Sequence, residues 1–516
     1  MNNSYKKAWR QYEAGKAYKR RIGLYETVRK NEQFYRGDQW VSSNAADLPR
    51  PVFNILKRVS DYLICSVASA DLRIRFTNED LPFIDNSKEA VAVASSLQAL
   101  NENAAYRWES CGMDAKVLRL VTDAAITGDG VLYCYWDPNI KSPQFFEGDI
   151  VTEVIDNINV FPADVNRADI QSQEYIIISG RASVASLKKE AEIAGVSSPA
   201  DIKNIHSDSV ETSESCQGAD YELEGEDEAK ATYIIKFWRE DGKVVFEKSV
   251  KNCVIRRGRT NCRLYPLAYF NWTSAKNRFH GDSPITYLIP NQKYINRAYA
   301  MAMKHMTDTA FSKVIYDKSK IPEWSNNVGE AIAAVGGNIS DAVSVIGVGD
   351  MQDGYMELIE SAVSLTKELM GATESALGNT EASNTSAILA LQDTSRIPLE
   401  QIRRAYYKCI EDMANIWADM MCAYYPRERL LPCRSKDGDR TAQVDLSLLK
   451  REFLNARVDV NEVTRYSAAG AQAMLDKLLD GGHISPEEYI RRLPSGVITD
   501  RSALIAGLKN TREEFI

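Results

Sequence analysis

Histidine, cysteine, paired carboxylates and glycine-rich phosphate loops are the groups through which a chain of 516 residues could do chemistry, and here they are thinly spread. The four histidines stand at 206, 280, 305 and 483, and the nine cysteines at 65, 111, 134, 216, 253, 262, 409, 422 and 433, with no CxxC pair. A zinc site needs clustered His and Cys, and nothing in these spacings supplies one, so neither a metal nor a cofactor is expected. The thiols read instead as reduced and buried in a cytosolic protein. The signatures GxxxxGK(S/T), GxGxxG after a strand, GxSxG and HExxH are all missing. Gly347-Val348-Gly349 starts like a dinucleotide loop but has Gln352 where the third glycine belongs. His305, between Met303 and Met306 on a helical pattern, reads as a core or inter-helix residue. His280, in Arg278-Phe279-His280-Gly281-Asp282, reads as part of a structural turn before it reads as catalytic. The acids at 220–228 lack the glycine and terminal glutamate of an EF-hand, which leaves a solvated loop or a docking surface.

Charge says more than chemistry does. The chain carries 63 Lys+Arg against 71 Asp+Glu, a formal net charge of -8, so it is not coated with positive charge for nucleic acid. The average hides a split: residues 1–36 hold ten Lys/Arg against three Glu, whereas residues 201–230 hold ten acids against two Lys. The basic segment suits a solvated helix face or a contact to phosphate or a partner protein. With 44% hydrophobic residues, wholesale disorder is excluded, and the length suits three to four domains. Charges recur from Lys6 onward, so no secretory signal is expected. The most apolar stretch, Ala331 to Gly349, contains Asp341 and four glycines, so no membrane partner is expected.

The elements alternate in type along the chain. One long helix is predicted over Ser4 to Tyr35, ending at Arg36-Gly37-Asp38; others run over Val52 to Ala70, Ser87 to about Asn103 and Cys111 to Ile126. After Gly128-Asp129-Gly130 the pattern turns β-rich to about residue 275, with strands at Val131 to Trp136, Ile150 to Val160, Tyr175 to Arg181 and Leu264 to Trp272. A helical piece covers Val184 to Ala194, and Glu240-Asp241-Gly242 between two apolar runs signals a hairpin. From Ser283-Pro284, an N-cap with proline at the first helical position, the chain becomes helical again. A mixed, Gly-rich stretch follows at 311–352, then a helix over about 353–376 with apolar residues at 356, 359, 363 and 370 and Thr366 between them. That seam is too small and too mixed for an isolated core and fits repeated packing against copies of the same chain. A polar interruption at Leu377 to Asn384 precedes the longest periodic run, Ile402 to Tyr424, with a kink expected at Pro398. Short helices follow from Asn461, one opened by Ser485-Pro486-Glu487-Glu488 and the last by Thr499-Asp500.

The order of these landmarks resembles the portal proteins of tailed bacteriophages, the head-to-tail connector family. The resemblance rests on Asn31 to Trp40, with Phe34-Tyr35-Arg36-Gly37-Asp38, followed by Arg50-Pro51-Val52-Phe53-Asn54 at a helix start. It continues through Ala125-Ile126-Thr127-Gly128-Asp129-Gly130 and the strand ending Trp136-Asp137-Pro138. Tyr265-Pro266-Leu267, Phe279-His280-Gly281-Asp282-Ser283-Pro284, Gln292 and Asn296, and finally Thr385-Ser386-Ala387-Ile388, complete it over roughly 30–480. The resemblance implies an α+β, mostly helical subunit with wing, stem, clip and crown. The wing would be 1–282 with a returning part at 385–460, the stem helices 283–310 and 353–376, the clip 311–352 and the crown 461–516. The stem helices would be about 35–40 Å long at about 1.5 Å per residue.

The tunnel loop would be Leu377, Gly378, Asn379, Thr380, Glu381, Ala382, Ser383 and Asn384. Its structural alternative is a plain helix-helix connector. The implied function is a homo-oligomeric ring, usually of twelve subunits, at one capsid vertex, assembled in the host cytoplasm and carried in the virion. The implied partners are further copies of the chain, double-stranded DNA in the channel, the major capsid protein, terminase, tail adaptor proteins and a scaffolding protein. The chain would not be an enzyme. The acidic tract matches no family landmark. Two other readings stay open: a non-channel virion adaptor or scaffold-binding protein, and a cytosolic α+β enzyme with an unfamiliar site.

Overall fold

The computed structural model describes the chain apart from residues 1–3, 41–47, 70, 82–86, 143, 209–228, 311–312, 326–331, 334, 337–341, 347–353, 373–396, 436–437, 445, 447–448, 450, 462–464, 494–503 and 505–516. The elements run in the order α1 (Ser4–Arg21), α2 (Leu24–Arg36), α3 (Ile55–Ala68), β1 (Asp71–Asn78), α4 (Ser87–Ser110), α5 (Met113–Thr127), β2 (Asp129–Asp137), β3 (Asp149–Ile155), β4 (Val160–Pro162) and β5 (Tyr175–Ser183). Then come α6 (Val184–Ala194), α7 (Pro199–Lys203), β6 (Lys230–Glu240), β7 (Lys243–Ser249), β8 (Val254–Arg259), β9 (Leu267–Asn271), α8 (Pro284–Ala310), β10 (Lys313–Tyr316), β11 (Val343–Ile346) and α9 (Gly354–Leu369). The remaining elements are α10 (Glu400–Tyr424), β12 (Leu430–Ser435), β13 (Gly438–Gln443), β14 (Leu454–Asn461), α11 (Arg465–Asp480) and α12 (Pro486–Arg492). The fold is α+β, with several small antiparallel sheets among the helices.

Two units divide the chain. One holds residues 1–32, 60–286 and 374–516, the other 33–59 and 287–373. In the larger unit, β4 to β8 form a five-stranded meander in chain order, and β3, β2 and β9 a three-stranded sheet with β2 in the middle. Strand β5 is buried on both faces, so it reads Ile-Ile-Ile where a half-exposed strand would alternate. On one face Ile176 and Ile178 join Val131, Phe237, Leu267 and Phe279 in the core between the sheets. On the other, Ile177 meets Ala8 and Tyr12 of α1, where Gly15 leaves room for the Phe161 ring: a Cβ there would come within 2.7 Å of it. Helix α10 runs through the same unit with Tyr406, Ile410, Met413 and Trp417 buried, and Trp417 Nε1 donates to Thr152 Oγ1 at 2.8 Å.

Several expectations need correction. The single helix over 4–35 is two, because Gly23 takes φ +69° between Arg21 and Leu24, a left-handed turn that breaks the hydrogen-bond ladder. The strand expected over 150–160 ends at Ile155, and a single 3-10 turn at Asn157–Asn159 separates it from β4. The helix expected to reach 376 stops at Leu369, where Gly371 adopts φ +72° and Ala372 N–H returns to the Lys367 carbonyl. At 16 residues it is about 24 Å long, against about 40 Å for the 27 residues of α8. Pro398 lies in a 3-10 turn that opens α10 and does not kink it. The cysteines are free among the described residues but not all buried: Cys65 is exposed, and Cys111 and Cys422 are half-buried. The hairpin is as expected, with Asp241 and Gly242 both at positive φ between β6 and β7. Both expected serine caps are present too: Ser283 Oγ accepts from Ile285 N–H at 3.1 Å at α8, and Ser485 Oγ from Glu488 N–H at α12. The final helix expected at Thr499-Asp500, the Gly347-Val348-Gly349 motif and the tunnel-loop residues 377–384 lie outside the described residues.

Candidate functional site

The sequence landmarks converge on two buried polar nodes, one in each unit. The first forms around Asp129, at the start of β2 and 1% exposed. Gly128 before it sits at φ +101° as the C-cap of α5, and a Cβ there would meet the Gly281 carbonyl oxygen at 2.5 Å. Gly281 faces it with the same intolerance: its Cβ would stand 2.8 Å from the Gly128 oxygen and 2.9 Å from that of Thr273. Two backbones meet here with no side chain between them, which only a pair of glycines permits. That approach brings the carboxylate of Asp129 under the turn 279–282. Its Oδ1 accepts from Gly281 N–H at 2.7 Å and from Asn271 Nδ2 at 2.9 Å; its Oδ2 accepts from His280 Nδ1 at 2.8 Å and from Asn157 Nδ2 at 3.0 Å.

Positive charge reaches the node through Asn157. Lys19, from α1 and 1% exposed, donates its three N–H bonds to the carbonyls of Asn157, Ile158 and Val160 at 2.9, 2.8 and 2.7 Å. A buried ammonium and a buried carboxylate are thus joined by one asparagine, each with its hydrogen-bonding capacity met. Burial pushes the His280 imidazole below its usual pKa against the upward pull of Asp129, with Lys19 and Arg278 adding to the fall. Facing a carboxylate oxygen, Nδ1 donates. An aspartate-histidine pair could belong to a general-base dyad, but His280 is 2% exposed and its Nε2 has no protein partner. Beside the node the first turn of α8 is fastened: Ser283 Oγ donates to the Ala125 carbonyl at 2.6 Å and accepts from Ile285 N–H at 3.1 Å, while Asn31 Nδ2 donates to Thr286 Oγ1 at 2.9 Å.

The second node joins four amide side chains. Gln292 on α8 accepts from Leu56 N–H at 2.9 Å and donates to the Phe53 carbonyl at 2.7 Å and to Asn296 Oδ1 at 2.8 Å. Asn296 passes the chain on to Gln39 Oε1 at 2.6 Å, and Gln39 donates to the Phe34 carbonyl at 3.0 Å and to Asn54 Oδ1 at 3.1 Å. Asn54 in turn donates to the Tyr35 carbonyl at 3.1 Å, and Trp40 Nε1 to that of Pro51 at 2.9 Å. Residues separated by over 250 positions therefore share one network, and it carries no titratable group.

Both nodes position helices. The four histidines are not brought together, and among the described residues no group of three His, Cys, Asp or Glu could hold a metal. No described helix is long and apolar enough to cross a membrane. Sequence reasoning had located Asn31, His280, Gly128-Asp129-Gly130, Gln292 and Asn296, but it missed Lys19, Asn157 and Asn271. The available signal was Lys19 itself, a lysine about two turns after Tyr12 on the apolar side of α1.

Both nodes are buried polar mounts that hold the start of the helix at 284–310 and its neighbours in place. The chain belongs to the Phage P22-like portal protein family, whose model matches residues 16–469. That family is structural and associated with the phage capsid. Among curated proteins none matches the chain.

Proposed function

We propose that the chain is one subunit of a closed homo-oligomeric ring at a capsid vertex, with an axial channel for DNA packaging and ejection. The observation that carries this is the exposed apolar dressing of α8 and α9. On α8, Tyr287, Tyr294 and Met301 recur every seven residues and are 60%, 49% and 45% exposed. On α9 two stripes run side by side. Ile359, Val363 and Thr366 form the inner one, with Met370 just past the helix end and Ile359 and Thr366 buried. Leu358, Leu365 and Leu369 form the outer one at 52%, 54% and 76% exposure. Such stripes match helices that pack on a second copy, and a heptad spacing is the pattern such packing repeats.

In this reading α8 and α9 are the stem, the β10–β11 hairpin belongs to the clip at 311–352, residues 1–282 with 385–460 are the wing and 461–516 the crown. The tunnel loop is Leu377 to Asn384, whose polar side chains and single Glu381 offer DNA only weak contacts. A lining rich in Lys and Arg would trap the duplex, since each neutralised phosphate deepens a salt-dependent well. Terminase supplies the motor, and capsid, scaffold and tail adaptor proteins dock on the outside.

Native mass spectrometry tests the ring. A twelve-subunit assembly of 57.8 kDa chains weighs roughly 690 kDa. The double substitution Leu365→Glu, Leu369→Glu should leave the folded monomer intact and abolish that species; monomers of the natural chain under every buffer condition would refute the proposal. Deleting residues 378–384 should leave the ring and impair packaging or retention of DNA. Loss of the ring on that deletion would make the loop a structural connector.

A further inference from the structure

We propose that the outer face of α1 grips the phosphate backbone of duplex DNA, at a site separate from the channel of the ring reading above. Buried and exposed residues fall on opposite sides of this helix. Ala8 and Tyr12 pack with Phe161, Ile177 and Ile234, and Lys19 is tied to three carbonyls. On the other side Lys6, Lys7, Arg10, Arg20 and Arg21 are exposed, with Ala14 and Ala17 exposed between the two groups. At about 100° per residue, Arg10 and Ala17 stand opposite the buried line, Lys6 and Arg21 flank them, and Lys7 and Arg20 mark the edges. Glu13 is the one acid in the helix, and it pairs with Lys16 at 3.1 Å.

The face is built for an anion. With Lys6 and Lys7 in the first turn and no acid there, like charge meets the positive end of the helix dipole, an arrangement that becomes favourable once negative charge lies across it. Its composition favours nucleic acid over protein. A protein partner is gripped through a few large apolar or aromatic anchors, whereas the outward side of α1 offers cations and alanines. Backbone phosphates need cations alone, and the alanines let a duplex come close. Lys7 and Arg21 lie 14 positions apart, about 21 Å along the helix, so the two cationic ends reach past a major groove about 12 Å wide to phosphates on both of its walls. The chain as a whole carries -8, so attraction to DNA has to come from a local patch of this kind. The salt-dependent well that would stall a duplex in a channel holds it here.

A covalently closed duplex circle tests the site, because it cannot be threaded through a closed ring and can still lie against α1 whether or not the ring forms. Its affinity for the full chain is measured against salt concentration. The natural chain should bind it, and the variant Lys6→Gln, Lys7→Gln, Arg10→Gln, Arg21→Gln should show a shallower salt dependence. At about 0.9 in the slope per phosphate contact, four lost contacts amount to about 150-fold in affinity between about 50 and 200 mM salt for each engaged chain. Glu13→Gln, which removes the acid, should tighten binding, an effect that misfolding would not produce. Removing three exposed cations elsewhere in the same unit, by Lys189→Gln, Lys243→Gln and Lys251→Gln, should leave the slope unchanged. Equal loss in the two lysine and arginine variants would reduce the effect to net charge and overturn the proposal. So would capture of linear duplex without capture of the circle, which would leave the ring and its channel standing. Retention of poly-glutamate by the natural chain alone, with the circle bound equally by natural chain and variant, would assign the helix to an acidic protein and overturn the proposal as well.

Discussion

Substituting Asp129→Ala should loosen the joint between β2 and the turn before α8 by about 4 kcal/mol. Four donors lose their acceptor: Gly281 N–H, Asn271 Nδ2, His280 Nδ1 and Asn157 Nδ2. A buried donor left unpaired costs about 1–3 kcal/mol, so four of them cost about 4 kcal/mol or more, while Lys19 keeps its three carbonyl partners. Water entering the space of the lost side chain recovers part of the simple sum, which brings the estimate to the lower figure. Hydrogen exchange read by mass spectrometry on the full chain is the assay, since the Gly281 amide bonds directly to Asp129 and reports local opening. Peptides covering 128–134 and 278–286 should exchange about a thousandfold faster, the equivalent of 4 kcal/mol. The control is Asp129→Asn. Its carbonyl keeps the Gly281 and Asn271 bonds, and its new amide meets Asn157, whose Oδ1 has no protein partner and can turn inward to accept. The loss there should be about 1–2 kcal/mol. Equal exchange in the two variants, or Gly281 protection unchanged in Asp129→Ala, would refute the reasoning that a charged carboxylate organises this node.

Two further substitutions probe the same region. Asp123 has its pKa raised to about 7 by burial, with Asp156 and Glu32 adding to the rise and Arg119 opposing it. A carboxyl group whose folded pKa exceeds its unfolded value stabilises below about pH 4 and loses that contribution as pH climbs toward 7, so Asp123→Asn should raise stability at pH 8 by on the order of 2 kcal/mol, read as a higher melting temperature, and change nothing at pH 4. An Asn variant equally stable at both pH values would show that Asp123 is solvated. Gly281→Ala forces a methyl against the carbonyl oxygens of Gly128 and Thr273, and backbone cannot rotate away as a side chain can. A fall of about 1–3 kcal/mol in urea unfolding is expected, and an unchanged midpoint would mean that the two backbones stand further apart.

What the sequence disclosed and what it hid follow from the range of the forces involved. Caps, the Asp241-Gly242 hairpin and the inner stripe of α9 are local, decided by neighbours within four residues, and each could be read directly. Gly23 was misread because a glycine amid helix-forming residues costs a helix only about 1 kcal/mol, and its positive φ is settled by packing. Strand β1 escaped notice because its partner, β14, lies some 380 residues away, with Asp71 opposite Asn461 and Asn78 opposite Leu454. The polar nodes were half legible. Their glycines, Asp129, His280, Gln292 and Asn296 stood out as motifs, whereas Lys19 and Asn157 look like surface residues until the fold places three carbonyls around one ammonium. The outer stripe of α9 was hidden for a different reason: an apolar residue left exposed on the subunit has the same type as one bound for its core.

That ambiguity bears on how a ring of this kind would form. Tyr287, Tyr294, Met301, Leu358, Leu365 and Leu369 are each about half exposed or more, so covering them in one contact between copies is worth about 5–9 kcal/mol, half the usual value for full burial of such side chains. Bringing two chains together costs about 4–15 kcal/mol in lost freedom. A single contact is therefore close to balanced, and two copies joined by one such face should separate readily. Closure changes the balance, because the last contact joins ends that are already held together and gains its burial with no further association cost. Stability then resides in the closed ring more than in any pair, so assembly should pass from monomer to ring with few open chains between. The same argument explains why exposed leucines can be tolerated on the free subunit. Each contact is too weak to drive an open-ended filament, and only a geometry that closes can hold them.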